Sequence, residues 1–111
     1  MNLNKRAARA LELEVTETGR GVFVVKRPTL KDLSWGSAKW HPDTDIAQAW
    51  LLVEKCRELG FIVLIEQSGW TCYCKVHKFG ASRAEYFDAD SRSSAAEAIT
   101  TACILAIESL K

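Results

Sequence analysis

Phe61-Ile62-Val63-Leu64-Ile65-Glu66 is the stretch on which the fold turns. Its first five residues are all apolar, and Gly60 precedes them. A run this uniformly apolar, without period-two alternation, predicts a strand covered on both faces, hence a central one. Gln67-Ser68-Gly69 then reads as a turn. From Trp70 to Phe79 the pattern alternates. Trp70, Cys72, Cys74 and Val76 fall on one face, and Thr71, Tyr73, Lys75 and His77 on the other. Gly80-Ala81-Ser82-Arg83 turns the chain again, into a short strand over Ala84–Asp88 that holds Tyr86 and Phe87.

Helices flank this meander. Before it, Asp43-Thr44-Asp45 offers N-cap residues to a helix whose apolar positions are Ile46, Ala49, Trp50, Val53 and Cys56, closed by Gly60. After it, Ser94-Ala95-Ala96-Glu97 fits a capping box. The helix that follows has a stripe of Ala95, Ile99, Ala102, Cys103, Ala106 and Leu110. Nearer the N-terminus, Leu3–Leu13 has helical spacing. Glu14–Glu17 and Val22–Lys26 read as a hairpin turning through Thr18-Gly19-Arg20-Gly21. Pro28 to Pro42 shows no period, and a segment of that kind is often functional. The expected order is α, β, β, loop, α, β, β, β, α. The fold class is α+β: a three-layer α/β/α sandwich around a mainly antiparallel sheet, since the apolar strand calls for cover on both sides. One domain over 1–111 is expected. It comprises an N-terminal helix and hairpin (3–26), an irregular Trp/basic segment (27–42) and a helix–three strands–helix core (43–111).

Composition narrows the class further. The chain has 111 residues, 48% hydrophobic and 26% charged, which suits a soluble globular domain and argues against wholesale disorder. A net charge of +1 gives no global case for nucleic acid or membrane. No apolar run approaches the roughly 18–20 residues of a bilayer span. Met1-Asn2-Leu3-Asn4-Lys5-Arg6 has no apolar core of a secretory signal. Cys56, Cys72, Cys74 and Cys103 are expected to be buried free thiols. A C-x-C pair within a strand lacks the turn that a zinc knuckle requires. These features favour a reducing cytoplasm and no cofactor or metal.

Four constellations bear on function. For catalysis, His41 and His77 are the only histidines, and no nucleophile motif, P-loop or H-E-x-x-H accompanies them. A non-enzymatic protein is expected. For nucleic acid, the order helix, three strands, helix matches a double-stranded RNA-binding domain. Yet the start of the last helix, Asp88 to Glu97, sets two Asp and one Glu against Arg92, the wrong sign for gripping phosphates. For a small ligand, residues 1–42 hold eight basic and four acidic side chains, +4, and the remainder seven and ten, −3. Within the basic part, Arg27, Lys31, Trp35, Lys39, Trp40 and His41, with Arg83 from the later turn, suit an anionic ligand with a flat base. The alternative is that the tryptophans belong to the core. Finally, the Tyr73, Lys75 and His77 face mixes aromatic and cationic groups as protein interfaces do. If a helix covers it, Tyr73 is core instead.

Trp35-Gly36, His41-Pro42-Asp43-Thr44-Asp45-Ile46, Ala49-Trp50, Gly69-Trp70 and the Ala-rich Ala95–Ala106 together resemble the phage α-β-α sandwich domain family. Asn4-Lys5-Arg6-Ala7-Ala8-Arg9-Ala10-Leu11 looks like the start of related phage proteins. The resemblance spans Trp35–Leu110, rests on structural motifs and carries over no active-site residue. It implies a phage or prophage accessory protein. The expected function is counter-defence by binding in the host cytoplasm. Such a protein would sequester a nucleotide-type immune signal or block a host defence protein, with a homo-oligomer among the expected forms. The alternatives are a nucleic-acid-binding module in phage gene regulation and a structural or assembly factor.

Overall fold

The computed structural model describes residues 3–19, 21–26, 40–80, 82, 85–92 and 94–110. Helix α1 (Leu3–Ala10) opens the described chain. It ends where Glu12 takes a left-handed backbone, φ 58°. There the Leu13 amide donates to the Ala8 carbonyl at 2.8 Å and the Glu12 amide to that of Arg9 at 3.1 Å. This is a Schellman stop with glutamate in the place glycine usually takes. The stop turns the chain into the antiparallel hairpin β1 (Glu14–Thr18) and β2 (Gly21–Lys26).

The second helix, α2 (Ile46–Glu58), starts on Asp45, whose carboxylate accepts from the Gln48 amide at 3.1 Å. Gly60, at φ 89°, releases the chain into β3 (Phe61–Ser68). Strands β4 (Thr71–Lys78) and β5 (Phe87–Ser91) follow. All pairs in this second sheet are antiparallel, in the order β3-β4-β5. The last helix, α3 (Ala95–Glu108), is capped by Ser94, whose hydroxyl accepts from the Glu97 amide at 3.2 Å. The reciprocal half of the capping box is replaced: the Ser94 amide donates to Ser91 Oγ at 3.2 Å.

The α+β class, three helices and an antiparallel three-stranded sheet agree with the sequence reading. Three details differ. Among the described residues, β3 has β4 as its one neighbour and β4 is the central strand, so the apolar character of 61–65 does not signal a central position. Only Phe61 is buried in β3, and Leu64 and Ile65 are 44% and 40% exposed. The inward stripe of α2 runs through Ala49, Leu52, Val53 and Cys56, leaving Ile46 and Trp50 exposed. Trp70 belongs to the β3–β4 turn rather than to β4, because Gly69 at φ 57° moves the turn one residue on. Its indole is 89% exposed instead of lying beside Cys72.

Among the described residues, α3 packs against β4 and β5, and α2 against β3. Cys72, Cys74 and Val76 of β4 are buried, and α2 and α3 pack over that face and against each other. Cys56 of α2 donates its thiol to the Cys103 carbonyl of α3 at 3.8 Å. Phe61 and Phe87 close the end of this face edge-to-face, centroids 6.4 Å apart. All four cysteines are free and buried, as expected. Hydrogen bonding with Cys56 and Cys74, reinforced by burial, pushes the Cys103 thiol far above the ordinary range. Helix α3 is buried almost all round, by the sheet, α2 and α1. Arg6 of α1 clasps Glu108 at the end of α3, Nη2 to Oε1 at 2.6 Å and Nε to Oε2 at 3.1 Å.

Candidate functional site

Of the seven side chains expected to bind an anionic ligand, Arg27, Lys31, Trp35, Lys39 and Arg83 lie outside the described residues. The remaining two sit in a short strap ahead of α2. Trp40 is 1% exposed, so its ring is part of the core and is not free to stack on a ligand. Its indole N–H donates to the Asn4 carbonyl of α1 at 2.7 Å. That bond satisfies the polar edge of a buried ring. The strap is fixed at further points. The Asp43 amide donates to Asn4 Oδ1 at 3.3 Å, Thr100 Oγ1 donates to the Pro42 carbonyl at 2.9 Å, and Ser94 Oγ to that of Asp43 at 2.8 Å. His41 is half-buried. Its amide donates to Gln48 Oε1 at 2.7 Å, and its Nδ1 lies 2.9 Å from Thr44 Oγ1. Residues 40–43 thus join α1 to the starts of α2 and α3.

The chemistry-bearing surface is elsewhere, on the sheet face turned away from the helices. Strand register assembles it in rows. Leu64 of β3 faces Lys75 of β4, which faces Asp88 of β5. On one side of that row, Glu66 faces Tyr73, which faces Asp90. On the other, Ile62 faces His77, whose ring stacks on Tyr86 with centroids 4.1 Å apart and planes 4° from parallel. Among the described residues no helix lies over this face, and Leu64, Glu66, Asp88 and Asp90 are exposed. The two readings of Tyr73 left open by the sequence are thereby separated: it is half-buried within a surface, not a core residue.

The face is internally ordered. The Tyr73 hydroxyl donates to Asp88 Oδ2 at 2.7 Å. This bond, with smaller contributions from partial burial and from nearby Asp and Glu charges, raises the phenol above its ordinary value. Lys75 Nζ lies 5.3 Å from the centroid of the Tyr73 ring, within cation–π range. Leu64, Tyr73, Lys75, Tyr86 and Asp88 line a cavity of about 440 Å³, open to solvent. That volume falls within the usual span of roughly 300–1,000 Å³ for small-ligand pockets. In charge, Lys75 stands against Glu66, Asp88 and Asp90, so this face is acidic.

The sequence showed Tyr73, Lys75 and His77 as one face but did not add Leu64, Tyr86 and Asp88. The missing signal was register, which depends on both turn lengths. Among the described residues, no three His, Cys, Asp or Glu side chains converge on a metal-ion position, and no helix is long and apolar enough to cross a membrane.

Comparison of the chain with protein-family models, curated proteins and solved structures gives no match.

Proposed function

We propose that the protein is a phage-type accessory protein that acts by binding rather than catalysis, in the cytoplasm of a bacterial host. Its binding surface is the helix-free face of β3-β4-β5. One observation carries this reading: an ordered aromatic and charged face around a cavity, left without a helical cover among the described residues. The resemblance of Trp35–Leu110 to the phage α-β-α sandwich family supports the biological setting, and counter-defence is the role that fits it.

Charge chooses between the two forms of that role. A face with three carboxylates and one lysine repels a phosphate-rich signal and attracts the basic surface of a protein. Blocking a host defence protein is therefore the favoured form. Two tyrosines supply contact area of the kind that anchors protein interfaces. A partner laid on this face would supply the third layer of an α/β/α sandwich.

Site-specific photo-cross-linking tests the reading. Benzoylphenylalanine in place of Tyr73, in bacterial cells, is expected to give a discrete adduct with a host protein, and the same probe at Glu58 on α2 none. No adduct at position 73, or equal adducts at both positions, would overturn the assignment. Titration calorimetry with cyclic dinucleotides and ADP-ribose-type nucleotides is expected to show no heat. Micromolar binding there would reinstate the sequestration form through the basic segment.

A further inference from the structure

Lys75 and Asp88 face each other across β4 and β5, yet among the described residues they form no ion pair. The lysine is directed elsewhere: its Nζ lies over the Tyr73 ring, 5.3 Å from the centroid. Asp88 is exposed, and among the described residues its carboxylate accepts one hydrogen bond, at Oδ2 from the Tyr73 hydroxyl. That bond holds the carboxylate in place and leaves Oδ1, and a second lone pair on Oδ2, open to a further donor. Tyr86 has one side taken as well. His77 stacks on one face of its ring, which leaves the other face or the edge to the cavity that Tyr86 lines. Leu64 adds an apolar wall. The charge around this group is one-sided: Glu66, Asp88 and Asp90 stand against Lys75, three against one, or −2. All three carboxylates act on the Tyr73 phenol, Asp88 foremost through its hydrogen bond and Asp90 and Glu66 through their charges.

We infer that this cavity takes the side chain of an arginine presented by the partner protein. The assignment rests on the binding face proposed above and names the group that anchors to it. The surplus of carboxylates disfavours an anionic guest and favours a cationic one. Among the described residues the acidic side chains do not converge on a metal-ion position, so they act as separate acceptors rather than as a chelate. The choice among organic cations follows from shape. A guanidinium can bring two parallel N–H groups to Oδ1 and Oδ2 of Asp88 while its plane lies along an aromatic ring, and an ammonium offers neither the fork nor the plane. A guanidinium is also more weakly hydrated, so it gives up less on entering a site walled by two half-buried tyrosines. The methylene stem of arginine can lie along Leu64. Lys75 opposes such a guest by like charge. Its place over the Tyr73 ring keeps it off Asp88, and Glu66 and Asp90 outnumber it, so it limits affinity without setting the sign of the site.

Titration of the full chain with N-acetyl-arginine amide, followed in carbon–proton spectra of the aromatic rings, tests it. Saturable shifts are expected at the Tyr73 and Tyr86 rings and none at the exposed Trp70 indole. N-acetyl-lysine amide is expected to bind about tenfold more weakly, and N-acetyl-citrulline amide, of the same shape without the charge, not to saturate. Asp88→Asn keeps an acceptor for the Tyr73 hydroxyl and is expected to abolish saturation. Glu58→Gln, which removes an exposed carboxylate of α2, is expected to leave binding unchanged, and Lys75→Gln to tighten it severalfold. Equal binding of the arginine and lysine probes, saturation that survives Asp88→Asn, weaker binding in Lys75→Gln, or no saturable shift with the arginine probe would each overturn the assignment. The cross-linking experiment above separates the two proposals. An adduct at position 73 without arginine binding would overturn the arginine pocket and leave the protein partner, and arginine binding without an adduct would do the reverse.

Discussion

Trp40 shows how a single residue decides between binding and packing. In sequence it stands beside His41 within a basic, aromatic segment, and a ligand role is reasonable. In the fold it is 1% exposed and bonded to Asn4, so it joins α1 to the body of the protein. Trp40→Ala is expected to cost about 3–5 kcal/mol of stability, the range for large-to-small core changes, read as a lower urea midpoint. Tyr73 makes the opposite case. Its bond to Asp88 holds the phenol above its ordinary value of 10.0. The raised value belongs to the folded state. Tyr73 thus contributes stability in full below about pH 10, and that contribution is lost as pH rises through the folded value. In a Tyr86→Phe background, Tyr73 is the one tyrosine left. Absorbance near 295 nm should then titrate above pH 10, and adding Asp88→Asn should lower the midpoint.

At the level of elements, ends were easier to read than faces. Asp45 (one of three N-cap candidates), Gly60 and Ser94 were legible because capping is local chemistry. Ser94→Ala is expected to lose about 1 kcal/mol in chemical denaturation. It removes both the α3 cap and the bond to the Asp43 carbonyl. Glu12, in the left-handed region, has the backbone that glycine adopts without steric cost. Glu12→Gly is expected to raise the melting temperature, by up to about 1 kcal/mol of stability once the greater freedom of glycine in the unfolded chain is offset. Faces were harder to read. The inward stripe of α2 includes Leu52 and not Trp50, because Leu51, Leu52 and Val53 make the helix apolar on several sides and its neighbours choose among them. The apolar run 61–65 reads as a central strand by composition. In the fold Phe61 is buried, Ile62 and Val63 are half-buried, and Leu64 and Ile65 are exposed on a strand whose one neighbour among the described residues is β4. Composition reports what a strand could bury, whereas neighbour order decides what it does bury.

For the molecule as a whole, class and element order were legible, and the side of the sheet taken by the helices was not. Alternation along β4 established that Cys72, Cys74 and Val76 share a side and that Tyr73, Lys75 and His77 share the other. It could not say which side the helices take, since half-buried aromatics suit either. In the fold, α2 and α3 gather over the cysteine side, and Lys75, Asp88, Tyr73 and Tyr86 surround a cavity on the other. The functional reading rests on that division. Solvent paramagnetic relaxation by a neutral gadolinium chelate measures it directly, since Tyr73 and Tyr86 are the only tyrosines in the chain. Strong enhancement is predicted at both tyrosine rings and at the Trp70 indole, with the Trp40 indole N–H, assigned through Trp40→Phe, left unaffected. Protection of both tyrosine rings, or strong enhancement at Trp40, would contradict the account.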